Sequence, residues 1–339
     1  MKKRILIINT GGTIGMTKTE RGYAPDGDFF RTQLEDMGAL KADIMPSWDL
    51  AETKQLLDSS NMTVGDWNEI GRIVADNYGD YDGFVILHGT DTMAYTASAL
   101  SFMFEGLDKP VILTGSQIPL CEVRSDGRDN IISSLLIAAS GKVKEVAIYF
   151  GGSLIRGNRS MKYSADGLSA FVSPGYPVLA RAGISIEYDN AYLWKPEKDS
   201  AFNFVPFSDV PIAVIKVFPG IQFELFESIM TESLKGIVIE TFGSGNIPQN
   251  GEALLPIIKK AFANGSVVTV CTQCPQGTVS LGTYETSHAL KDAGAVSGRD
   301  ITTEAAVTKL YYLFSKGYDK DSINKLMGVS LRGEMTESF

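Results

Sequence analysis

Two short stretches, Thr10-Gly11-Gly12-Thr13 and His88-Gly89-Thr90-Asp91-Thr92, each set a hydroxyl directly behind a glycine. A threonine hydroxyl attacks a carbonyl carbon only when a neighbouring group takes its proton. Asp91 puts a carboxylate beside Thr90. An amine becomes a usable base when it is desolvated or set among other charges. Lys162, in Arg159-Ser160-Met161-Lys162-Tyr163, is such a candidate. Thr90, Lys162 and Asp91 would then form a hydroxyl–amine–carboxylate relay, with Asp91 holding the lysine. Spacing leaves the simpler alternative open, because most lysines are solvated surface residues.

Asp58-Ser59-Ser60-Asn61 offers a carboxylate for an ammonium group, with hydroxyls and N–H groups for a carboxylate. Such a cluster suits a small zwitterion. It serves equally well as a turn and helix cap, since Asp, Ser and Asn favour both through local hydrogen bonds. Tyr23, in Gly22-Tyr23-Ala24-Pro25, is either a surface aromatic in a turn or a lid residue whose hydroxyl comes over Thr13. His88 precedes a glycine at a strand end and reads as a buried scaffold residue rather than a base. Cys271-Thr272-Gln273-Cys274 stands without a second pair, so two reduced thiols at a strand end are expected rather than a metal or redox centre.

Other chemistries lack their motifs. No serine stands in Gly-x-Ser-x-Gly, and neither a dinucleotide fingerprint nor a phosphate-binding loop occurs. With only His88 and His288, a structural zinc site has no ligand set.

The elements that must position these residues follow the pattern of β-strands alternating with helices, which implies a mostly parallel α/β sheet. Arg4–Asn9 reads as a strand running into the first threonine turn, and 82–87 as a strand running into the second. In such a sheet, ligands bind beyond the carboxyl ends of the strands. Glycine at those ends lets backbone approach closely or take positive φ. Further elements are a helix capped near Thr63, a helix over about 93–104 and a strand over 110–114 ending at Gly115-Ser116. Ser125 is expected to cap a helix through Ile131, Leu135 and Ile137, followed by a strand over 146–150. Residues 151–170 read as a hairpin or loop.

The polar stretch with Pro196 and Pro206 marks a linker, and βα alternation restarts at Ile212. Expected there are strands over 212–217, 236–240 and 267–271, with helices over 223–229, 252–263, 302–313 and 322–327. The domain plan is a larger N-terminal catalytic α/β domain over 1–190, a linker over 191–211 and a smaller C-terminal α/β domain over 212–339. At about 150 residues per domain, 339 residues suit two domains.

The net charge is −9 and no Lys/Arg run is present, so a nucleic-acid partner is not expected. After Met1-Lys2-Lys3-Arg4 the apolar run is only Ile5 to Ile8, shorter than the roughly 7–15 residues of a signal-peptide core. No stretch reaches the roughly 18 apolar residues of a membrane span. Three cysteines do not make a disulfide scaffold. The cytoplasm is the expected compartment, without membrane attachment.

Thr-Gly-Gly-Thr-Ile at 10–14 and His-Gly-Thr-Asp-Thr at 88–92, with Asp58-Ser59-Ser60, Gly115-Ser116 and Lys162, resemble the bacterial-type L-asparaginase family in its cytoplasmic type I branch. The resemblance extends to Phe242-Gly243-Ser244-Gly245-Asn246 in the second domain. It implies hydrolysis of L-asparagine to L-aspartate and ammonia, with lesser glutaminase activity and without cofactor or metal. It implies Thr13 as the nucleophile, Tyr23 as the group assisting its deprotonation, and Thr90, Lys162 and Asp91 as the relay polarising water or the first threonine. Thr90 as nucleophile is the alternative within this scheme.

By the same resemblance, Asp58, Ser59, Ser60, Thr90 and Asp91 bind the amino-acid end of the substrate, and Ser116 contacts the departing amide. Backbone N–H groups near Thr90 or Thr13 hold the oxyanion. The implied assembly is a homotetramer built as a pair of intimate dimers, with Asn246 reaching a neighbouring subunit. For the carboxylate that a partner contributes in some relatives, Gly282-Thr283-Tyr284-Glu285-Thr286-Ser287 offers only Glu285.

Overall fold

The computed structural model describes residues 2–20, 22–196, 200–248, 254–282 and 285–337, without the side chains of residues 285 and 286. The chain divides into two units, Met1–Pro206 and Phe207–Phe339.

In the first unit the chain runs through β1 (Arg4–Gly11), a hairpin of β2 (Met16–Thr19) and β3 (Gly22–Pro25), α1 (Gly27–Asp36) and β4 (Ser47–Leu57). Next come α2 (Val64–Asp76), β5 (Gly83–Leu87), α3 (Met93–Met103), β6 (Phe104–Glu105), β7 (Val111–Thr114) and α4 (Gly127–Ser140). The unit closes with β8 (Val146–Phe150), β9 (Ser153–Arg156), β10 (Met161–Lys162), β11 (Phe171–Val172), β12 (Ala180–Ala182), β13 (Ile186–Tyr188) and β14 (Asn203–Phe204).

The main sheet has the order β13-β12-β9-β8-β7-β5-β1-β4. From β8 to β4 all pairings are parallel, and β9, β12 and β13 extend the sheet antiparallel. β5, β7 and β8 are buried along their whole length. Runs of Val, Ile and Leu with helices on both faces explain this, because β-branched residues fit a pleated surface covered on two sides. Counted along the chain, β1, β4, β5, β7 and β8 are first to fifth, so the spatial order β4-β1-β5-β7-β8 is 2-1-3-4-5. The direction of growth reverses between β1 and β5, which is where an open α/β sheet binds its ligands. The two threonine turns follow those two strands.

Several local readings are refined. α2 carries a full capping box, with Asp66 N donating to Thr63 Oγ1 and Thr63 N donating to Asp66 Oδ2. For α4 the cap residue is Asp126, not Ser125. Ser125 Oγ still accepts from Gly127 N at 3.1 Å, while the Asp126 carboxylate turns to the loop after β7. The polar stretch 191–211 contains β14, which pairs with β6, while Phe202 stacks on Tyr78 with ring centroids 3.7 Å apart.

The strand that precedes Lys162 is fixed by a buried ion pair. Arg156 Nε donates to Glu145 Oε2 at 2.6 Å, with both side chains nearly inaccessible. The guanidinium also lies over the rings of Tyr176 and Trp194 and donates to Tyr192 O. These bonds satisfy both charges, as burial requires.

In the second unit, β15 (Ile212–Lys216), β16 (Gly236–Thr241), β17 (Val267–Thr272) and β18 (Val296–Ser297) form a parallel sheet in that order. Its helices are α5 (Leu254–Ala263), α6 (Glu285–Asp292), α7 (Thr303–Ser315) and α8 (Lys320–Met327). Residues 223–229, expected as an α-helix, form a 3-10 helix. The expected start of α5 at 252 lies outside the described residues. On the wall of this unit Lys309 Nζ is paired with Glu334 at 2.7 Å, both fully buried. No helix among the described residues is long and apolar enough to cross a membrane.

Candidate active site

β1 and β5 deliver their turns into direct backbone contact. Gly12 has φ +80°, and a Cβ there would lie 2.4 Å from both Cα and N of Gly89. A Cβ on Gly89 would in turn meet Ser59 Oγ at 2.5 Å. Both positions therefore need glycine, the first also for its backbone conformation. Gly12 N donates to Leu57 O at 2.9 Å, Thr10 Oγ1 to Leu87 O at 2.9 Å and Thr92 Oγ1 to Ser59 O at 2.8 Å. The ends of β4, β1 and β5 are thus bound to one another. Thr10 and Thr92 are spent as structural bonds, whereas Thr13 opens a short 3-10 turn, is half-buried and makes no side-chain hydrogen bond among the described residues.

The structure brings Thr90, Asp91 and Lys162 together across 72 residues of sequence. Lys162 Nζ donates to Thr90 Oγ1 at 2.8 Å and to Asp91 Oδ1 at 2.5 Å. Thr90 is buried, Lys162 is mostly buried and the Asp91 side chain is 60% exposed. Asp91 therefore holds the ammonium with one oxygen and leaves the other open to a ligand. The Thr90 hydroxyl donates to Gln117 Oε1 at 3.2 Å. Gln117 has no freedom to turn its amide over, because its Nε2 donates to Ala165 O at 3.1 Å and to Gly167 O at 3.2 Å. The proton on Thr90 consequently points at Gln117, and its lone pair receives Lys162.

Asp58, Ser59 and Ser60 sit at the end of β4 beside these turns. Asp58 Oδ1 accepts from Ser60 N at 3.0 Å, a local Asx bond that shapes the loop. Ser59 is buried and Ser60 exposed. Ser116, after β7, is 1% exposed and its hydroxyl has no hydrogen-bond partner among the described residues. The backbone around it is fixed by Asp126, which accepts from Gln117 N at 3.1 Å and Ile118 N at 3.0 Å, while Asn130 Nδ2 donates to Gly115 O.

Tyr23 lies on β3, a strand packed against the Thr13–Gly15 turn. Its hydroxyl donates to Glu122 Oε1 at 2.6 Å, and this bond is the main cause of a phenol pKa above its ordinary value. His88 is fully buried. Its Nδ1 faces Gly89 O at 2.7 Å and its Nε2 faces Thr96 Oγ1 at 2.9 Å, which also receives Trp67 Nε1 at 3.0 Å. A carbonyl only accepts, so the proton is assigned to Nδ1 and the ring is neutral. Burial pushes its pKa down to about 4.

Asn246 lies in the second unit, where its backbone pairs with Phe242. Cys271 is a buried free thiol at the end of β17, raised in pKa by burial, and Cys274 is an exposed free thiol. Thr283, Tyr284 and the Glu285 side chain lie outside the described residues.

Gln117, Asp126 and Glu122 were not singled out from the sequence. The only local signal was their position, all within the loop that leads from β7 to α4. A glutamine and an acid in such a loop carry no spacing that separates them from solvated residues.

Fold and site together define a protein of two α/β domains with paired hydroxyl turns at the reversal point of its larger sheet. The family model described as Asparaginase, N-terminal matches residues 4–193, and that for the Glutaminase/Asparaginase C-terminal domain matches residues 211–327. The chain belongs to the asparaginase family. It is 45% identical over 335 residues to L-asparaginase 1 of Escherichia coli K12, covering 99% of this chain and 98% of that protein. The solved L-asparaginase I of Vibrio cholerae is similar at 47% identity and a TM-score of 0.91, over 99% of this chain and 100% of the other. The thermostable L-asparaginase of Thermococcus kodakarensis is similar at 34% identity and a TM-score of 0.87, again over 99% and 100%.

Proposed function

We propose that this chain hydrolyses the side-chain amide of L-asparagine to give L-aspartate and ammonia, with slower hydrolysis of L-glutamine. The observation that supports this best is the Thr90–Lys162–Asp91 cluster beside the Thr13 turn. In this reading Thr13 Oγ1 attacks the amide carbon with Tyr23 assisting its deprotonation: the Tyr23 oxygen takes the Thr13 proton as the phenol passes its own to the Glu122 carboxylate to which it is bonded. The tetrahedral intermediate collapses with return of a proton to the departing ammonia, leaving an acyl ester on Thr13. Water polarised by Thr90 and Lys162 then cleaves the ester and regenerates the hydroxyl. The free oxygen of Asp91 and the Asp58 carboxylate take the substrate ammonium, Ser59 and Ser60 its α-carboxylate, and Ser116 the amide. Its unpartnered buried hydroxyl is a natural contact for such a group.

The family resemblance further supports a cytoplasmic homotetramer of two intimate dimers, with Asn246 serving a neighbouring copy. Light scattering of the purified protein tests the assembly. The catalytic reading is tested by ammonia release from L-asparagine and L-glutamine, for the wild type and for folded Thr13→Ala and Thr90→Ala. Release is expected to be lost in Thr13→Ala and to become slow in Thr90→Ala. Near wild-type rates in either, or asparagine binding without any turnover in the wild type, would overturn it, the latter in favour of an amino-acid sensor.

A further inference from the structure

The second unit holds a cavity of about 720 Å³, lined by none of the residues assigned to the amide. Its walls come from the 278–281 segment, the end of α6, β18 with the turn after it, α8 and the C-terminal segment. Sites for small molecules and cofactors commonly measure roughly 300–1,000 Å³. Val279, Leu281, Ala295 and Val296 give the cavity apolar surface, and Lys291 and Arg299 give it cations.

Two features of the lining cost the fold stability. Asn324, on α8, buries its Oδ1 without a hydrogen-bond partner among the described residues. A buried acceptor left so gives up hydration without a replacement bond. Arg299 has φ +55°, and it is the only residue other than glycine with positive φ among the described residues. A bulky side chain strains the backbone there, and such strain persists only where surrounding bonds enforce it. Those bonds are present. Ser297 Oγ accepts from Arg299 N at 3.0 Å and donates to Val279 O at 2.7 Å, while Val279 N donates to Arg299 O at 3.0 Å. The C-terminal wall is held as firmly. Thr336 donates from N to Asp300 Oδ1 at 2.8 Å and from Oγ1 to Asp300 Oδ2 at 2.5 Å. Two residues earlier, Glu334 is anchored by the buried Lys309.

We propose that this cavity binds an adenine mononucleotide, its base on the apolar walls against Asn324 and its phosphate at Lys291 and Arg299. The Asn324 oxygen calls for a ligand that donates, and the exocyclic amine of adenine does so. An asparagine amide matches adenine through that amine and a ring nitrogen. Val279, Leu281 and Val296 present the surface that a flat heterocycle buries. Arginine and lysine side chains are common partners of phosphate. Asp300 spends both oxygens on Thr336, and Glu337 is an exposed acid of the same lining, which favours one phosphate over three. A free phosphate would leave the apolar walls and Asn324 unused. The site concerns a ligand other than the amide and stands whether or not the chain hydrolyses asparagine.

Titration calorimetry of the whole chain tests this with adenosine monophosphate (AMP), inosine monophosphate, adenosine and inorganic phosphate as probes. One AMP per chain is expected. Inosine monophosphate carries a carbonyl in place of the amine and should bind at least tenfold more weakly, as should adenosine and phosphate. Asn324→Leu and Arg299→Gly should each weaken AMP about ten- to a hundredfold, the range of one good bidentate contact. Both variants should melt no lower than the wild type, because one removes an unpaired buried acceptor and the other relieves a positive φ. A purely structural role predicts the reverse, a lower melting temperature with AMP binding intact. Lys291→Ala, an exposed change that leaves the fold alone, should weaken AMP about tenfold. The reverse result, AMP affinity unchanged in all three variants, phosphate or adenosine binding as tightly as AMP, or no heat at millimolar AMP would each overturn the proposal.

Discussion

A methyl group placed on Gly12 would stand 2.4 Å from the Cα of Gly89, a separation no pair of unbonded carbons tolerates. The turn bearing Thr13 and the turn bearing Thr90 are in backbone contact, so the distance between the two hydroxyls is set by main chain. Gly12→Ala must therefore both strain a φ of +80° and push one turn off the other. The expected loss is on the order of 2–4 kcal/mol of stability, from strain and overpacking together. Urea denaturation measures it, and activity should fall further than the folded fraction does.

Thr13→Ala and Thr90→Ala test different jobs at the same site. Removing a nucleophile commonly lowers kcat by at least about three orders of magnitude. Thr13→Ala should reach that level and form no acyl-enzyme. Thr90→Ala should still trap label from substrate on Thr13 while turning over slowly, because its role falls on the water. Mass spectrometry of rapidly quenched protein separates the two, and label retained by Thr13→Ala would reverse the assignment.

Gln117 directs the proton of Thr90, so Gln117→Leu should free that hydroxyl and leave the carbonyls of Ala165 and Gly167 without a donor. Ala165 is exposed and Gly167 half-buried, so water takes up part of the loss and the net cost is about 0.5–1.5 kcal/mol. A fall in both melting temperature and kcat is expected. Gln117→Glu should be worse for stability, since a carboxylate repels the same two carbonyl oxygens. Equal melting temperatures for the three proteins would contradict this account.

His88 gives a pH prediction with a definite sign. Burial lowers its pKa to about 4 in the fold, against an ordinary value of 6.5. The unfolded chain therefore binds the extra proton first as pH falls. His88 contributes its full stability above about pH 6.5, and that contribution is lost as pH falls from there through about 4. The difference amounts to on the order of 3 kcal/mol. His88→Asn, which cannot titrate, should remove this part of the slope whatever it does to absolute stability. Denaturation curves across that window would show it, and an unchanged slope would refute it.

In the second unit, Lys309 and Glu334 are a fully buried pair, and Lys309 also donates to Val329 O. Lys309→Met removes the ammonium paired with the Glu334 carboxylate and leaves it its backbone donors Leu331 N and Arg332 N. Removing one partner of a buried pair costs about 3–5 kcal/mol, whereas replacing both by apolar side chains is often near neutral. The double variant Lys309→Met/Glu334→Leu should thus be more stable than Lys309→Met, as thermal melts can show.

The parts of the fold that could be read from sequence are those buried on both faces. β5, β7 and β8 are unbroken apolar runs, and their ends fell where expected. β4 escaped notice because it is the edge strand. Its Ser47–Leu57 run mixes Asp49, Glu52 and Lys54 with apolar residues, since only β1 pairs with it and no residue of it is fully buried. The short strand β14 was hidden inside a stretch whose prolines and charges argued for a linker. At the site, the association of Lys162 with Thr90 and Asp91 has no local signal at all. Family resemblance supplied it, and the structure supplies the distances. Gln117 was invisible for a different reason: a neutral amide does its work by which way it faces.

The exposed position of β4 has a further bearing on how this scaffold can change. Thr13 and Thr90 follow strands locked between neighbours, so altering their course means rebuilding the sheet. Asp58, Ser59 and Ser60 follow a strand with one free side. Insertions or exchanges on that rim leave the sheet's hydrogen bonds intact, and most amount to a local repair of the contacts at Leu57 and Ser59. On the proposed reading, reactive machinery and recognition wall are thereby mounted on parts of unequal rigidity, and the wall can drift toward new amides while the machinery stands still.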